Sequence, residues 1–115
     1  MLIDLHTHSN ASDGTDSPAA LIDKAIEKGI NVLALTDHDT VAGWNEAISA
    51  LSVHPSGSQL KLVLGSEISC QDKDGTSIHM LGLLFDENHQ PLISELEKTR
   101  ENRLTRMERI VARLN

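Results

Sequence analysis

The sequence predicts an α/β fold, and three observations carry that expectation. "NVLALT" at 31–36 is an unbroken apolar run of strand length, the pattern of a strand covered on both faces and hence of a parallel sheet. Helical spacing brackets it, with Leu21, Ile22, Ala25 and Ile26 before it and the segment from about Val41 to Leu51 after it. An apolar stretch from Lys61 to Cys70 then completes a strand–helix–strand–helix–strand alternation, for which right-handed crossovers are expected.

The elements follow in order. Leu2 to Thr7 reads as the first strand, and residues 8–17, "HSNASDGTDS", as a polar, turn-rich loop. Ser17 is placed to cap a helix with Pro18 at its first position, and Gly29 to end it. Asp39 or Thr40 is placed to cap the second helix, and "VHPSGSQ" at 53–59 reads as loop. "DKDG" at 72–75 is a tight-turn signal, so residues 76–84 are expected to pair back as a hairpin. From Pro91 to Asn115 one long helix is expected, with Leu92, Ile93, Leu96, Leu104, Met107, Ile110, Val111 and Leu114 on a single apolar stripe. That stripe reaches Leu114 without a glycine cap, and so few strands leave open sheet edges. Residues 1–115 are therefore expected to be the N-terminal portion of a single larger domain.

Composition narrows the function classes. The chain has 115 residues and a formal charge of −7, which argues against a DNA clamp built on bulk electrostatics. Trp44 and Phe85 are its only aromatics, too few for a base-stacking platform. No apolar run is long enough for a membrane span, and no signal peptide is evident. The single cysteine, Cys70, fits a cytoplasmic setting. Nothing in the sequence speaks to oligomeric state.

The chemistry-bearing residues sit at strand ends. Side chains alternate along a strand, so Asp4, His6 and His8 are expected on one face, where two neutral imidazoles can share a divalent ion. A solvated strand face, or histidines bonded to backbone, is the plain alternative. Asp13 follows in the next loop, and His38 follows the apolar strand, beyond whose carboxyl end α/β folds place ligands. Glu67 ends the third strand in "VLGSEIS", and His79 lies on the returning hairpin strand, where the pair can meet at one ion or be an edge carboxylate and a core histidine. On the last helix Arg100 and Arg103 lie within the apolar stripe, side by side at i and i+3. They can fork onto a phosphate or form salt bridges with carboxylates elsewhere.

"DLHTHSNASDGTDSP", "LALTDHDT", "GSEIS" and "IHMLGL", in that order, resemble the PHP (polymerase and histidinol phosphatase) family of metal-dependent phosphoesterases. The motifs look closest to the branch that removes the 3′-phosphate of nucleoside 3′,5′-bisphosphates, some members of which trim short RNA from its 5′ end. The resemblance implies a distorted (β/α)₇ barrel, incomplete in this chain, with up to three divalent ions at the carboxyl ends of its strands. It implies that His6 and His8 bind one ion with Glu67, that Asp13 and His38 bind a second, and that Glu67 bridges to a third also held by His79. Arg100 and Arg103 are implied to grip the substrate, a small nucleotide or short RNA, and water activated by the ions is the implied nucleophile. Manganese, with zinc or iron as alternatives, suits such a nitrogen-and-oxygen ligand set better than calcium. Later histidines that complete the family's site are not in this sequence, so the isolated chain is expected to hold a partial metal set and to be inactive. Two other readings use the same ligands: a storage or regulatory module without turnover, and an amidohydrolase-like enzyme cleaving C–N bonds.

Overall fold

The computed structural model describes residues 1–114, and its centre is the strand "VLAL" that the sequence marks most plainly. Four strands form a sheet in the order β1–β2–β3–β4, with β1 at Ile3–Thr7, β2 at Val32–Leu35, β3 at Lys61–Gln71 and β4 at Ser77–Leu83. The first three run parallel and β4 returns antiparallel to β3. Leu33, Ala34 and Leu35 of β2 are all buried, as expected of a strand covered on both faces.

Two helices cover the sheet. Helix α1, Pro18–Glu27, opens with the Ser17 hydroxyl accepting the Ala20 N–H at 3.1 Å and with Pro18 at the first position. It closes at Gly29, whose φ of +73° allows Ile30 N–H to reach back to the Ala25 carbonyl at 2.9 Å. Helix α2, Trp44–Val53, starts three residues later than its apolar pattern suggests. Neither Asp39 nor Thr40 caps it; the cap position is Gly43, without a side-chain bond. Thr40 instead accepts the Ala42 N–H at 3.1 Å, and Asp39, at a φ of +52°, is turned toward β3. The core joins Ile22 and Ala25 of α1, Leu33 and Leu35 of β2, Trp44 and Ala47 of α2, and Leu60. Loop 53–59 holds one short helical turn, Gly57–Gln59.

The hairpin follows the expected turn. Asp72 accepts the N–H groups of Asp74 and Thr76, both at 2.9 Å, and Gly75 takes a φ of +80°. Gly65 of β3 lies so close to the Gly82 carbonyl that no Cβ would fit. The long helix α3, Gln90–Leu114, buries only Leu96 among the described residues. The stripe beyond it, including Leu104, Met107 and Leu114, is exposed, and Asn115 lies outside the described residues.

Candidate metal centre

Backbone pairing continues past the strand ends and builds the site. Beyond β2, the Glu67 N–H donates to the Asp37 carbonyl at 3.0 Å and the Asp39 N–H to the Glu67 carbonyl at 3.1 Å, so His38 and Glu67 face each other as a parallel bridge. Beyond β1, the Thr36 N–H binds the Thr7 carbonyl at 2.8 Å and fixes where His8 leaves the strand. In the hairpin, His79 pairs with Ser69 and is thus the diagonal neighbour of Glu67.

Strict alternation does not hold along β1. The register slips between Asp4 and Thr7, a bulge that re-aims the side chains. Asp4 faces Thr7, Lys24 and Leu33 in a separate cleft and accepts the His6 N–H at 3.1 Å; it does not join the histidines. His6 and His8 do converge, with ring centres 5.1 Å apart.

Glu67 is the hub, with only 7% of its surface exposed. Its Oε2 lies 2.9 Å from His6 Nε2, 2.7 Å from His8 Nε2 and 3.5 Å from His38 Nε2, while Oε1 lies 3.1 Å from His79 Nδ1. Asp13 closes the other side, 2.6 Å from His8 Nδ1 and 3.2 Å from His38 Nε2. Three overlapping triads result: His6, His8 and Glu67; His8, Asp13 and His38; and His38, Glu67 and His79. Within each triad the ligand-type atoms lie within 4.8 Å of one another.

Burial pushes the Glu67 carboxyl up, but hydrogen bonds with His6 and His79 and the charges of His38 and His6 outweigh it and hold it below the ordinary value. The hydrogen bond to His8 holds the Asp13 carboxyl below its ordinary value, against a smaller opposing effect of burial. Both carboxylates are thus kept in the ionised form that ligation requires.

Hydrogen bonding accounts for only part of this arrangement. His38 Nδ1 is buried with no partner, and His8 Nε2 approaches Glu67 without the alignment of a hydrogen bond. Three imidazole nitrogens lie within 3.5 Å of Glu67 Oε2, one more than that oxygen's two lone pairs can take. Divalent ions among these atoms would resolve the mismatch, so the donor set fits a metal centre.

Two aspartates beside His38 hold the surrounding loops, and sequence reasoning gave them no role of this kind. Asp37 accepts the Ser9 N–H at 2.6 Å and the hydroxyls of Ser9 and Ser12, both at 2.7 Å. That pins the loop carrying His8 and Asp13. Gly14 packs against the His8 and Ser9 backbone, where a Cβ would clash. Asp39, fully buried, accepts the N–H and hydroxyl of Ser69 at 2.7 and 2.8 Å. The available signal was their position, flanking a histidine at a strand's carboxyl end.

Both arginines border the same site. Arg100 donates to the Thr40 hydroxyl at 2.7 Å. Arg103 binds the Ser69 hydroxyl and lies 3.3 Å from Asp39 Oδ2, so the salt-bridge alternative is realised for this residue. A cleft of about 540 Å³ is lined by Asp13, His38 and His79 on one side and by Arg100, Arg103, Leu104 and Met107 on the other.

The chain is 46% identical over 95 residues to a 5′-3′ exoribonuclease of Haemophilus influenzae, a match covering 82% of this chain and 32% of that protein. It is 37% identical over 112 residues to the 3′,5′-nucleoside bisphosphate phosphatase of Chromobacterium violaceum, covering 97% of this chain and 38% of the relative. The crystal structure of a metal-dependent phosphoesterase from Bifidobacterium adolescentis superposes with a TM-score of 0.87 at 40% identity, over 97% of this chain and 37% of that one. The mixed α/β sheet thus matches part of a PHP (β/α) barrel, and the chain spans about a third of the length of the relatives it matches. With the PHP domain pattern matching residues 4–108, the chain belongs to the PHP domain family.

Proposed function

We propose that this chain carries the metal-binding part of a cytoplasmic phosphoesterase acting on nucleotide phosphates. The substrate is either the 3′-phosphate of a nucleoside 3′,5′-bisphosphate or the 5′ end of a short RNA, in line with what the relatives are named for. One observation carries the reading: metal-type donors and two guanidiniums line the same cleft. A storage site has no use for the arginines, and a C–N bond offers them no phosphate.

In this reading His6, His8 and Glu67 hold one ion, Asp13 and His38 a second with His8 at its edge, and Glu67 and His79 a third. Manganese, iron or zinc suits these nitrogen and oxygen donors, and manganese is the first to test. Bound there, such ions supply Lewis-acid polarisation of the phosphate ester and acidify water for attack on phosphorus. The remaining work belongs to the protein. Arg100 presents a guanidinium able to fork onto a phosphate, steadied by Thr40. Arg103 is held by Asp39 and Ser69, so little freedom is lost when substrate arrives. Leu104 and Met107 form an apolar wall for the nucleoside. Asp37 keeps His8 and Asp13 in register through Ser9 and Ser12.

The test is a chimera in which residues 1–114 replace the matching segment of the Chromobacterium violaceum phosphatase. Phosphate release from adenosine 3′,5′-bisphosphate should require manganese and fall roughly a hundredfold in the Glu67→Gln chimera. A chimera that binds its full complement of metal and releases no phosphate contradicts the proposal.

A further inference from the structure

Beyond the metal centre, α3 carries a segregation of charge that the proposed chemistry does not use. Arg100, Arg103, Arg106, Arg109 and Arg113 lie within one stretch of the helix, in a chain whose formal charge is −7. At helical spacing, Arg103, Arg106, Arg109 and Arg113 fall on one flank with Asn102, while Glu97, Glu101 and Glu108 fall on the opposite flank.

That flank forms a continuous series of clefts. Arg103 lines the cleft at the metal centre. Arg103 also lines a second cleft of about 420 Å³, where Asn102 and Arg106 face Ser69, Gln71 and Ser77 of the hairpin. Asn102 and Arg106 in turn line a third, of about 450 Å³, with Arg109 and Arg113. Among the described residues, Arg106, Arg109 and Arg113 make no ion pair with a carboxylate. Asp72, the acid next to Gln71, is turned to the N–H groups of Asp74 and Thr76 in its own turn. Glu95, on the arginine flank, is paired with Lys98 at 3.3 Å. The guanidiniums therefore face clefts of hydroxyl and amide groups, a surface suited to phosphodiester oxygens.

We infer that this flank is a backbone track for an oligoribonucleotide whose 5′ end lies at the metal centre, with Arg106 and Arg109 contacting the phosphates of the following nucleotides. The inference rests on the phosphoesterase reading and deepens it, favouring an RNA segment over a mononucleotide as the fuller substrate. Nine residues of helix separate Arg100 from Arg109, about 14 Å of rise, enough for roughly four stacked nucleotides.

Fluorescence anisotropy with 5′-phosphorylated, phosphorothioate-linked oligoribonucleotides of one to four residues, in manganese, tests it. The wild-type chain should gain roughly fivefold to tenfold in affinity as the ligand lengthens, with a salt dependence that steepens alongside. In the Arg106→Gln/Arg109→Gln double variant that gain should vanish, and the salt slope should drop by about 0.7 for each contact removed, with the thermal midpoint unmoved. Wild-type affinity independent of length, or a double variant that keeps the gain, overturns the track and leaves the phosphoesterase reading standing. No binding at any length, the mononucleotide included, overturns both.

Discussion

Glu67 shows how a single side chain can define a site. Its carboxylate is buried at the meeting point of His6, His8, His38 and His79, which only the fold brings together. If that cluster holds metal, Asp37→Asn should weaken manganese binding roughly tenfold to a hundredfold without removing a ligand, because the loop carrying His8 and Asp13 loses its anchor. Calorimetric titration of the variant checks this, and unchanged affinity would deny Asp37 its positioning role. Acid stability gives a second residue-scale expectation. In the metal-free chain the Glu67 carboxyl titrates below its ordinary value of 4.5. Its ionised form therefore contributes stability that is fully present above that value and is lost as pH falls through the lowered one. Glu67→Gln should show a shallower loss of stability on acidification, measured by denaturant unfolding along a pH series.

At the scale of elements, the fold rests on joints that can be tested singly. Trp44 opens α2, packs against Phe85 with ring centres 5.1 Å apart, and donates from Nε1 to the Gly65 carbonyl at 3.0 Å. Trp44→Phe keeps most of the apolar contact but leaves that carbonyl without its donor, so unfolding free energy should fall by about 1–3 kcal/mol. Ser17→Ala, which removes the α1 cap, should cost about 1 kcal/mol by the same measurement.

Most of these elements were legible in the sequence because local chemistry dictates them. Ser17-Pro18 and Gly29 bound α1, and "DKDG" turns the hairpin. The start of α2 was not legible. Its apolar pattern begins at Val41, yet Asp39 and Thr40 are drawn into contacts with Ser69 and Arg100, distant in sequence, and the helix opens only at Trp44. The β1 bulge was invisible for the same reason. Periodicity put Asp4 beside His6 and His8, whereas the register against β2 turns it away.

For the whole molecule, the sequence indicated which residues are candidates for metal ligation and the fold brings them together. His6, His8, Asp13, His38, Glu67 and His79 stood out by type and by position at strand ends, and the parallel sheet gathers those ends on one side. What sequence could not supply was the support around them, since the bonds from Asp37 to Ser9 and from Asp39 to Ser69 span 28 and 30 residues. A metal that binds only the folded chain also stabilises it. At a free concentration of a hundred times Kd, the gain should be about 2.7 kcal/mol, seen as a thermal midpoint that rises with manganese and reverts on chelation.

The most direct measurement is a calorimetric titration of manganese into this chain beside its Glu67→Gln and His38→Ala variants. Convergence of the cluster on divalent ions predicts saturable binding by the wild type, with Glu67→Gln reducing the affinity more than His38→Ala because Glu67 presents two carboxylate oxygens at the centre of four imidazoles, whereas His38 supplies one ring nitrogen. Equal binding by all three proteins, or none by the wild type, would contradict it.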